Sequence, residues 1–162
     1  RAGHSAEAEA EEHALLKKEA PAIALNTLDG GKFNLADLKG KNVVVLDFWA
    51  TWCPPCVHEI PWFEAAIAAL KDKQVKLVLV SLDFREDYPK KLAEFVKKQG
   101  YKATILWLDE TNADVFCPAI DKKWSGNIPA TLMVNNKKKY RQFYGEQIPE
   151  MKFKQELGKL LE

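Results

Sequence analysis

Apolar runs alternate with apolar stripes along most of the chain. Three runs are almost continuously apolar, as is typical of strands buried on both faces of a sheet, and they cover residues 42–49, 75–82 and 104–108. Elsewhere apolar residues recur every three or four positions, which predicts amphipathic helices. The three stripes are Cys56-Ile60-Phe63-Ile67-Leu70, Tyr88-Leu92-Phe95-Val96 and Phe153-Leu157-Leu160-Leu161. Strands that alternate with helices predict parallel pairing through right-handed crossovers.

Turn signals predict an antiparallel hairpin at each end of this pattern. Asp29-Gly30-Gly31 separates a short strand over Ala22–Thr27 from a return strand over Lys32–Leu35. A polar turn joins two later strands, Ala130–Val134 and Tyr140–Tyr144. We therefore expect an α/β chain whose mixed sheet is covered by helices on both faces.

The second predicted helix carries its own boundary signals. Asp87 is a residue type that caps helix N-termini, Pro89 suits a first turn and Gly100 suits a C-terminal end. These signals predict a helix between Asp87 and Gly100.

The first 19 residues differ from the rest, because an Ala/Glu alternation leaves little to bury before Leu15. We expect a polar tether or linker over 1–19 and one folded domain over 20–162. The chain begins with Arg1 rather than Met, so we also expect a signal peptide or membrane anchor upstream of it.

Composition narrows the function classes. A chain of 162 residues with 47% hydrophobic residues can bury a substantial core. Its 24 Lys and Arg against 23 Asp and Glu give a net charge of +1, which argues against broad electrostatic capture of nucleic acid or anionic lipid. No apolar run reaches the roughly 18 residues of a membrane span. We expect no nucleic-acid partner, and membrane contact only through an upstream anchor.

The strongest chemical signal is Trp52-Cys53-Pro54-Pro55-Cys56, which follows a predicted buried strand and begins a predicted helix. A dithiol redox centre needs that placement, and the spacing brings both sulfurs within reach of a disulfide. Free amide groups and the helix dipole favour the thiolate of Cys53, whereas Cys56 is the resolving thiol one turn further in. The sequence therefore predicts thiol-disulfide exchange, with a redox-active Cys53–Cys56 disulfide and no bound cofactor.

Three other readings of the cysteine pair have weaker support. A structural zinc site needs four ligands, and the remaining candidates form no second pair at metal spacing, so we expect no metal. Those candidates are Cys117, His58, His13 and His4. A thiol peroxidase of peroxiredoxin type needs Thr or Ser three residues before its reactive cysteine, where this chain has Ala50. A metal-binding, copper chaperone-like module needs a wider cysteine spacing and a distant His.

Asp47 interrupts the first buried run, six residues before Cys53. Burial of a carboxylate costs several kcal/mol unless the group is partnered or protonated. Desolvation raises the pKa of such a group toward neutrality, where it can exchange protons with Cys56. The alternative is an Asp that reaches solvent at the strand end.

Several other polar residues are candidates with a simpler alternative. Glu59 and His58 are candidate modulators of the dithiol, but both also fit exposed helical positions. Asp83, at the end of the second predicted strand, is interpreted as a turn or cap residue, the alternative being a further acid near the site. Cys117 is interpreted as an inert, partly buried thiol, the alternative being a third redox thiol. Pro129, taken alone, is interpreted as a trans proline at the start of a strand.

The segment 47–56 resembles the active-site region of the thioredoxin superfamily. Further features resemble its TlpA/ResA-like branch of extracytoplasmic thiol-disulfide oxidoreductases, whose domains are of the redoxin or AhpC/TSA type. These features are Ala20-Pro21, Leu28-Asp29-Gly30-Gly31, Leu38-Lys39-Gly40-Lys41, Glu59, Pro61 and Ile128-Pro129, the last of which matches the cis-proline of the family. The resemblance covers roughly residues 20–160.

The resemblance implies a thioredoxin fold with an added N-terminal β-hairpin and makes Asp47 the buried acid. It places Pro129 against the dithiol, where the neighbouring backbone binds an extended substrate chain. The substrate-binding residues are then Trp52, Pro54, Pro55, Ile128 and Pro129. It further implies an extracytoplasmic reductant whose substrates are protein thiols or disulfides, for example apocytochrome thiols during haem attachment. A membrane or periplasmic electron donor is then expected.

Overall fold

A computed structural model describes residues 23–38, 43–70 and 75–162. The strands are β1 Leu25–Thr27, β2 Lys32–Phe33, β3 Val43–Trp49, β4 Val75–Ser81, β5 Thr104–Leu108, β6 Ala130–Asn135 and β7 Tyr140–Tyr144. The α-helices are α1 Pro54–Ala68, α2 Lys90–Gln99, α3 Ala113–Ile120 and α4 Glu150–Leu161. The predicted tether and the motif residues at 20–21 and 39–41 lie outside the described residues.

The described strands form one seven-stranded sheet in the order β2-β1-β5-β4-β3-β6-β7. The three strands β3, β4 and β5 are parallel, whereas the remaining pairings are antiparallel. The predicted mixed sheet, with an antiparallel hairpin from each end of the sequence pattern, is therefore confirmed.

The alternating side chains of β3 supply both layers of the core. Val43, Val45 and Trp49 face one layer, which contains apolar residues of α1, α2 and α4. Leu46 and Phe48 face the other layer, together with α3 and the 3-10 helix Leu35–Leu38. Every residue of β3 is buried, as its apolar run predicts.

The carboxyl ends of the three parallel strands meet at one edge of the sheet. β3 ends there at Trp49, which pairs with Ser81 at the end of β4. β6 starts at the same edge, since Ala130 pairs with Phe48 in antiparallel register. The loop after β3 and the residues before β6 therefore converge, and this edge carries the predicted site. We call it the active-site edge.

Three boundary predictions are wrong in detail. The return strand stops at Phe33, because Leu35 and Leu38 form a 3-10 helix that buries both leucines in the second core layer. Asp87 does not cap α2. It ends a 3-10 helix, Arg85–Asp87, and a cis peptide before Pro89 separates it from α2. Leu70 lies beyond the end of α1, although it still packs against the first core layer.

Within the described ranges, no helix has both the length and the apolarity that a membrane crossing requires.

Candidate active site

A tight turn presents Cys53 at the active-site edge. The Cys53 N–H donates to the carbonyl of Ala50 at 3.1 Å, which closes the turn after β3. Cys53 is then the N-cap of α1, with extended backbone, and its Sγ accepts from the Cys56 N–H at 3.3 Å. Pro54 and Pro55 occupy the first helical positions, where a missing N–H costs no intrahelical hydrogen bond. The local sequence therefore stops the strand, caps the helix and places a sulfur at its N-terminus.

Cys53 and Cys56 form a disulfide across the first turn of α1, with their Cα atoms 5.3 Å apart. Cys56 is fully buried, whereas Cys53 remains 5% exposed, so only Cys53 is reachable by an incoming sulfur. The Cys56 N–H that faces Cys53 Sγ is positioned to stabilise a thiolate there after reduction.

Asp47 and Glu59 form a buried pair of carboxyl groups in the core layer that contains the disulfide. Both side chains are completely buried, Asp47 from β3 and Glu59 from α1. Glu59 accepts from the Ile148 N–H at 2.9 Å. Neither oxygen of Asp47 has a hydrogen-bond partner within the described residues. The two alternatives, a solvent-reaching Asp47 and an exposed Glu59, are both wrong.

This pair holds at least one proton near neutral pH. Burial raises the pKa of Asp47 well above its ordinary range, and the adjacent Glu59 charge raises it further. Burial raises the pKa of Glu59 to about 7, while the Ile148 N–H and the Asp47 carboxyl act in the opposite direction. The two carboxyl groups therefore share a proton near neutrality, and the Ile148 N–H donor favours the charge on Glu59 and the proton on Asp47.

Other polar atoms in this layer are also without partners in the described part of the chain. They include Thr131 Oγ1 and Trp49 Nε1. Thr131 pairs with Asp47 across the β3–β6 register, and Trp49 lies on the same face of β3. Buried polar groups are normally hydrogen-bonded, and exceptions call for an explanation such as a catalytic role or an internal water. Here both lie on the face of the sheet that carries Asp47.

The loop between β7 and α4 supports the dithiol helix through three hydrogen bonds. Gln147 Nε2 donates to the carbonyl of Pro55 at 3.2 Å, and Trp62 Nε1 donates to the carbonyl of Ile148 at 3.0 Å. The third is the bond from Ile148 to Glu59. Sequence reasoning did not find this loop. Glu59 itself had a signal, because it lies three residues after Cys56 and four before Phe63, on the buried stripe of α1.

The predicted substrate-binding residues differ in exposure. Trp52 is 51% exposed, and Pro54 and Pro55 are also exposed. Ile128 is half-buried, and Pro129 is buried after a cis peptide bond, as the resemblance implies. All five lie at the active-site edge or on the first turn of α1.

An aromatic neighbour of Trp52 was missed in the sequence. Phe84 is 56% exposed and stacks on Trp52, with ring centroids 5.7 Å apart and planes inclined by 17°. It directly follows Asp83, which is buried. The alternative of a further acid near the site therefore holds for Asp83, rather than the preferred turn or cap residue. Asp83 accepts hydrogen bonds from Thr51, in the turn before Cys53.

The remaining candidates lie outside this cluster. His58 is exposed and meets Trp62 edge-to-face. Cys117 is a buried free thiol on α3, in the other core layer, and burial raises its pKa with a smaller contribution from Asp114. Among the described residues, no group of three or more His, Cys, Asp or Glu side chains is arranged to hold a metal. His4 and His13 are outside those ranges.

The sequence matches a protein family and several curated proteins. The model of the AhpC/TSA family matches residues 16–143. The chain is 32% identical over 134 residues to the thiol-disulfide oxidoreductase ResA of Bacillus thuringiensis strain Al Hakam, which covers 82% of this chain and 72% of that protein. It is 41% identical over 89 residues to the thioredoxin-like protein YneN of Bacillus subtilis strain 168, which covers 55% of this chain and 51% of that protein.

Solved structures share the fold. A thioredoxin-related protein from Neisseria meningitidis serogroup B matches with a TM-score of 0.72 and 25% identity, over 85% of this chain and 98% of the other. The structure of MTB dsbF in its mixed oxidized and reduced forms matches with a TM-score of 0.67 and 26% identity, over 91% of this chain and 97% of the other. The thioredoxin fold predicted from sequence is thereby confirmed.

Proposed function

The chain belongs to the AhpC/TSA family and to the TlpA/ResA-like thiol-disulfide oxidoreductases, and on that premise we propose that it reduces protein disulfides outside the cytoplasm. The observation that carries the proposal is one reachable sulfur at a helix N-terminus, bonded to a buried sulfur in a layer that also holds two proton-binding carboxyl groups.

The first chemical step belongs to Cys53. In the reduced enzyme its thiolate attacks one sulfur of a substrate disulfide, forms a mixed disulfide and expels the other substrate sulfur as a thiolate. The Cys56 N–H and the positive end of the α1 dipole stabilise the attacking thiolate. The exposed Trp52 and the backbone beside Pro129 bind the substrate chain on either side of Cys53.

The second step belongs to Cys56. Its thiol gives a proton to the buried carboxyl pair, and the thiolate then attacks Cys53 Sγ of the mixed disulfide. This releases the second substrate thiolate and leaves the Cys53–Cys56 disulfide. Asp47 relays this proton: it accepts the proton of Cys56 as it passes its own proton to Glu59, whose pKa of about 7 makes Glu59 the final acceptor near neutral pH.

A proton acceptor in the layer of the resolving thiol supports the reductive direction, because a buried Cys56 attacks only as a thiolate. The balance of the cycle then requires a dithiol donor, at the membrane or in the periplasm, that reduces Cys53–Cys56 again. The resemblance to the extracytoplasmic TlpA/ResA-like branch supports that location and a role in keeping apocytochrome thiols reduced. Ala50 in the turn before Cys53 gives no support to a peroxidase.

The test is covalent trapping in the native compartment. The Cys56→Ser variant should accumulate mixed disulfides, because the resolving attack is removed while Cys53 still attacks. Cys53→Ser is the matched control and should trap no partner, since Cys56 is buried. Mass spectrometry of the trapped proteins then identifies the substrate class. Equal trapping by both variants, or by neither, would contradict this division of roles.

A further inference from the structure

The turn that presents Cys53 is held by a residue that follows another strand, β4. Its two central residues are Thr51 and Trp52, since the closing bond joins Cys53 to Ala50. The Asp83 carboxylate accepts from the Thr51 N–H at 3.1 and 3.2 Å and from Thr51 Oγ1 at 2.5 Å. The backbone and the side chain of one central turn residue are thus both bonded to Asp83.

The position of Asp83 is itself fixed by hydrogen bonds to two strands. It is 4% exposed, and its carboxylate also accepts from Ser81 Oγ at 2.6 Å. The Asp83 N–H donates back to Ser81 Oγ at 2.9 Å, and its carbonyl accepts from Trp107 Nε1 on β5 at 2.9 Å. The carboxylate therefore transmits the position of β4 and β5 to the turn.

The next residue along the chain holds the other central residue of the turn. Phe84 stacks on Trp52, so consecutive residues after β4 contact consecutive residues before Cys53. The two segments are joined at their base, where the Leu82 N–H donates to the carbonyl of Trp49 at 2.7 Å.

We propose that Asp83 is a positioning residue for thiol-disulfide exchange: through Thr51 it fixes the turn so that Cys53 Sγ stays at the N-terminus of α1, open to an incoming disulfide. The proposal rests on the role of Cys53 as the attacking thiol. In the oxidised enzyme the disulfide also restrains Cys53, but reduction breaks that bond. The contacts of Asp83 with Thr51 then restrain the turn during the attack itself.

The test isolates the attack of Cys53 in the full chain. In a Cys56→Ser background, Cys53 attacks the small disulfide 5,5′-dithiobis(2-nitrobenzoate) and releases one thionitrobenzoate, whose absorbance gives the rate constant. Measurements at high pH, where Cys53 is fully ionised, separate positioning from a changed pKa. Asp83→Asn should lower this rate constant about tenfold and Thr51→Val about threefold, because a misplaced reacting group loses rate steeply.

Thr27→Val is the matched control, because it makes the same substitution at a threonine whose hydroxyl donates to a different carboxylate, that of Asp29 in the turn between β1 and β2. Its rate constant should stay within about twofold of the parent, a change too small to reflect a misplaced nucleophile. A rate loss in Thr27→Val as large as in Thr51→Val would overturn the proposal, and so would unchanged rates in both Asp83→Asn and Thr51→Val. If Asp83→Asn fails to fold, the comparison of Thr51→Val with Thr27→Val still decides. A failure of the proposed function is recognised separately, because Cys53→Ser would then retain exchange activity.

Discussion

Two buried aspartates, Asp47 and Asp83, come from neighbouring strands near the active-site edge and have opposite surroundings. Asp83 accepts hydrogen bonds from Thr51 and Ser81, through both of its oxygens. Asp47 accepts none within the described residues and faces a second carboxyl group, Glu59. The two residues are almost equally buried, so burial alone does not distinguish their roles.

The number of donors that surround each carboxyl group makes the difference. A carboxylate whose two oxygens both accept hydrogen bonds is held in one position, and its removal leaves the donors unsatisfied. A buried carboxyl without donors pays the full desolvation cost of its charge and therefore holds a proton instead. Asp83 is suited to position the turn before Cys53, and Asp47 is suited to exchange a proton with the site. Variants of the two aspartates test that division.

The largest expected effect is on the resolving step. Asp47→Asn removes a titratable member of the carboxyl pair, so we expect Cys56 to attack the mixed disulfide about 100-fold more slowly at pH 7. At high pH, where Cys56 loses its proton to solvent, the deficit should shrink. Stopped-flow decay of a preformed mixed disulfide, followed from pH 6 to 10, measures this step.

Asp83→Asn is the informative control in the same experiment. It should slow the attack by Cys53 but leave resolution by Cys56 close to the wild-type rate, because Cys53 is already bonded to the substrate sulfur when Cys56 attacks. A deficit of Asp47→Asn that is uniform across pH would contradict a proton-transfer role.

Local sequence was enough to predict the centre of the site. The apolar run of β3, the two prolines and the spacing of Cys53 and Cys56 all lie within residues 43–56, so the helix start and the disulfide follow from them. Asp47 in the middle of the β3 run likewise indicated a buried acid, because the other residues of the run are all apolar.

The supports of the site were not predictable in this way, because they join residues distant in sequence. Asp83 reaches Thr51 across 32 positions, and Ile148 reaches Glu59 across 89. A lone Asp after a strand has the same local pattern whether it turns to solvent or inward, and only the packing of β4 beside β3 decides between them. The same holds for Leu35, whose burial in the second core layer replaces the predicted strand by a 3-10 helix.

A smaller effect concerns stability. Asp83→Asn should lower the free energy of unfolding by about 2 kcal/mol, since it disrupts several bonds to buried or partly buried donors. Asp47→Asn should change it by less than about 1 kcal/mol at pH 7, because it replaces one neutral buried group by another of the same shape. Urea unfolding of the oxidised proteins measures both. Equal losses in the two variants would show that the donors around Asp83 do not set the difference.

The smallest expected effect concerns a hydrogen-bond donor that Glu59 has and Asp47 lacks, the Ile148 N–H. The Ile148 N–H lowers the pKa of Glu59, and Trp62 Nε1 holds Ile148 in place through its carbonyl. A folded-state pKa of about 7, above the ordinary 4.5, means that the contribution of Glu59 to stability is fully present below about pH 4.5 and is lost as the pH rises through 7. Trp62→Phe should weaken the donor and raise this pKa, so that the variant loses up to about 1 kcal/mol more than wild type between pH 5 and 9.

The measurement is urea unfolding of oxidised wild type and Trp62→Phe at intervals across that pH range. The loss of packing that accompanies Trp62→Phe lowers stability equally at every pH, whereas the effect through Glu59 grows with pH. Glu59→Gln supplies the control, because in that background Trp62→Phe should cost the same at pH 5 and pH 9. If Trp62→Phe still costs more at pH 9 than at pH 5 in the Glu59→Gln background, the Ile148 donor does not act through Glu59. The assignment of the near-neutral titration to Glu59 rather than to Asp47 would then be wrong.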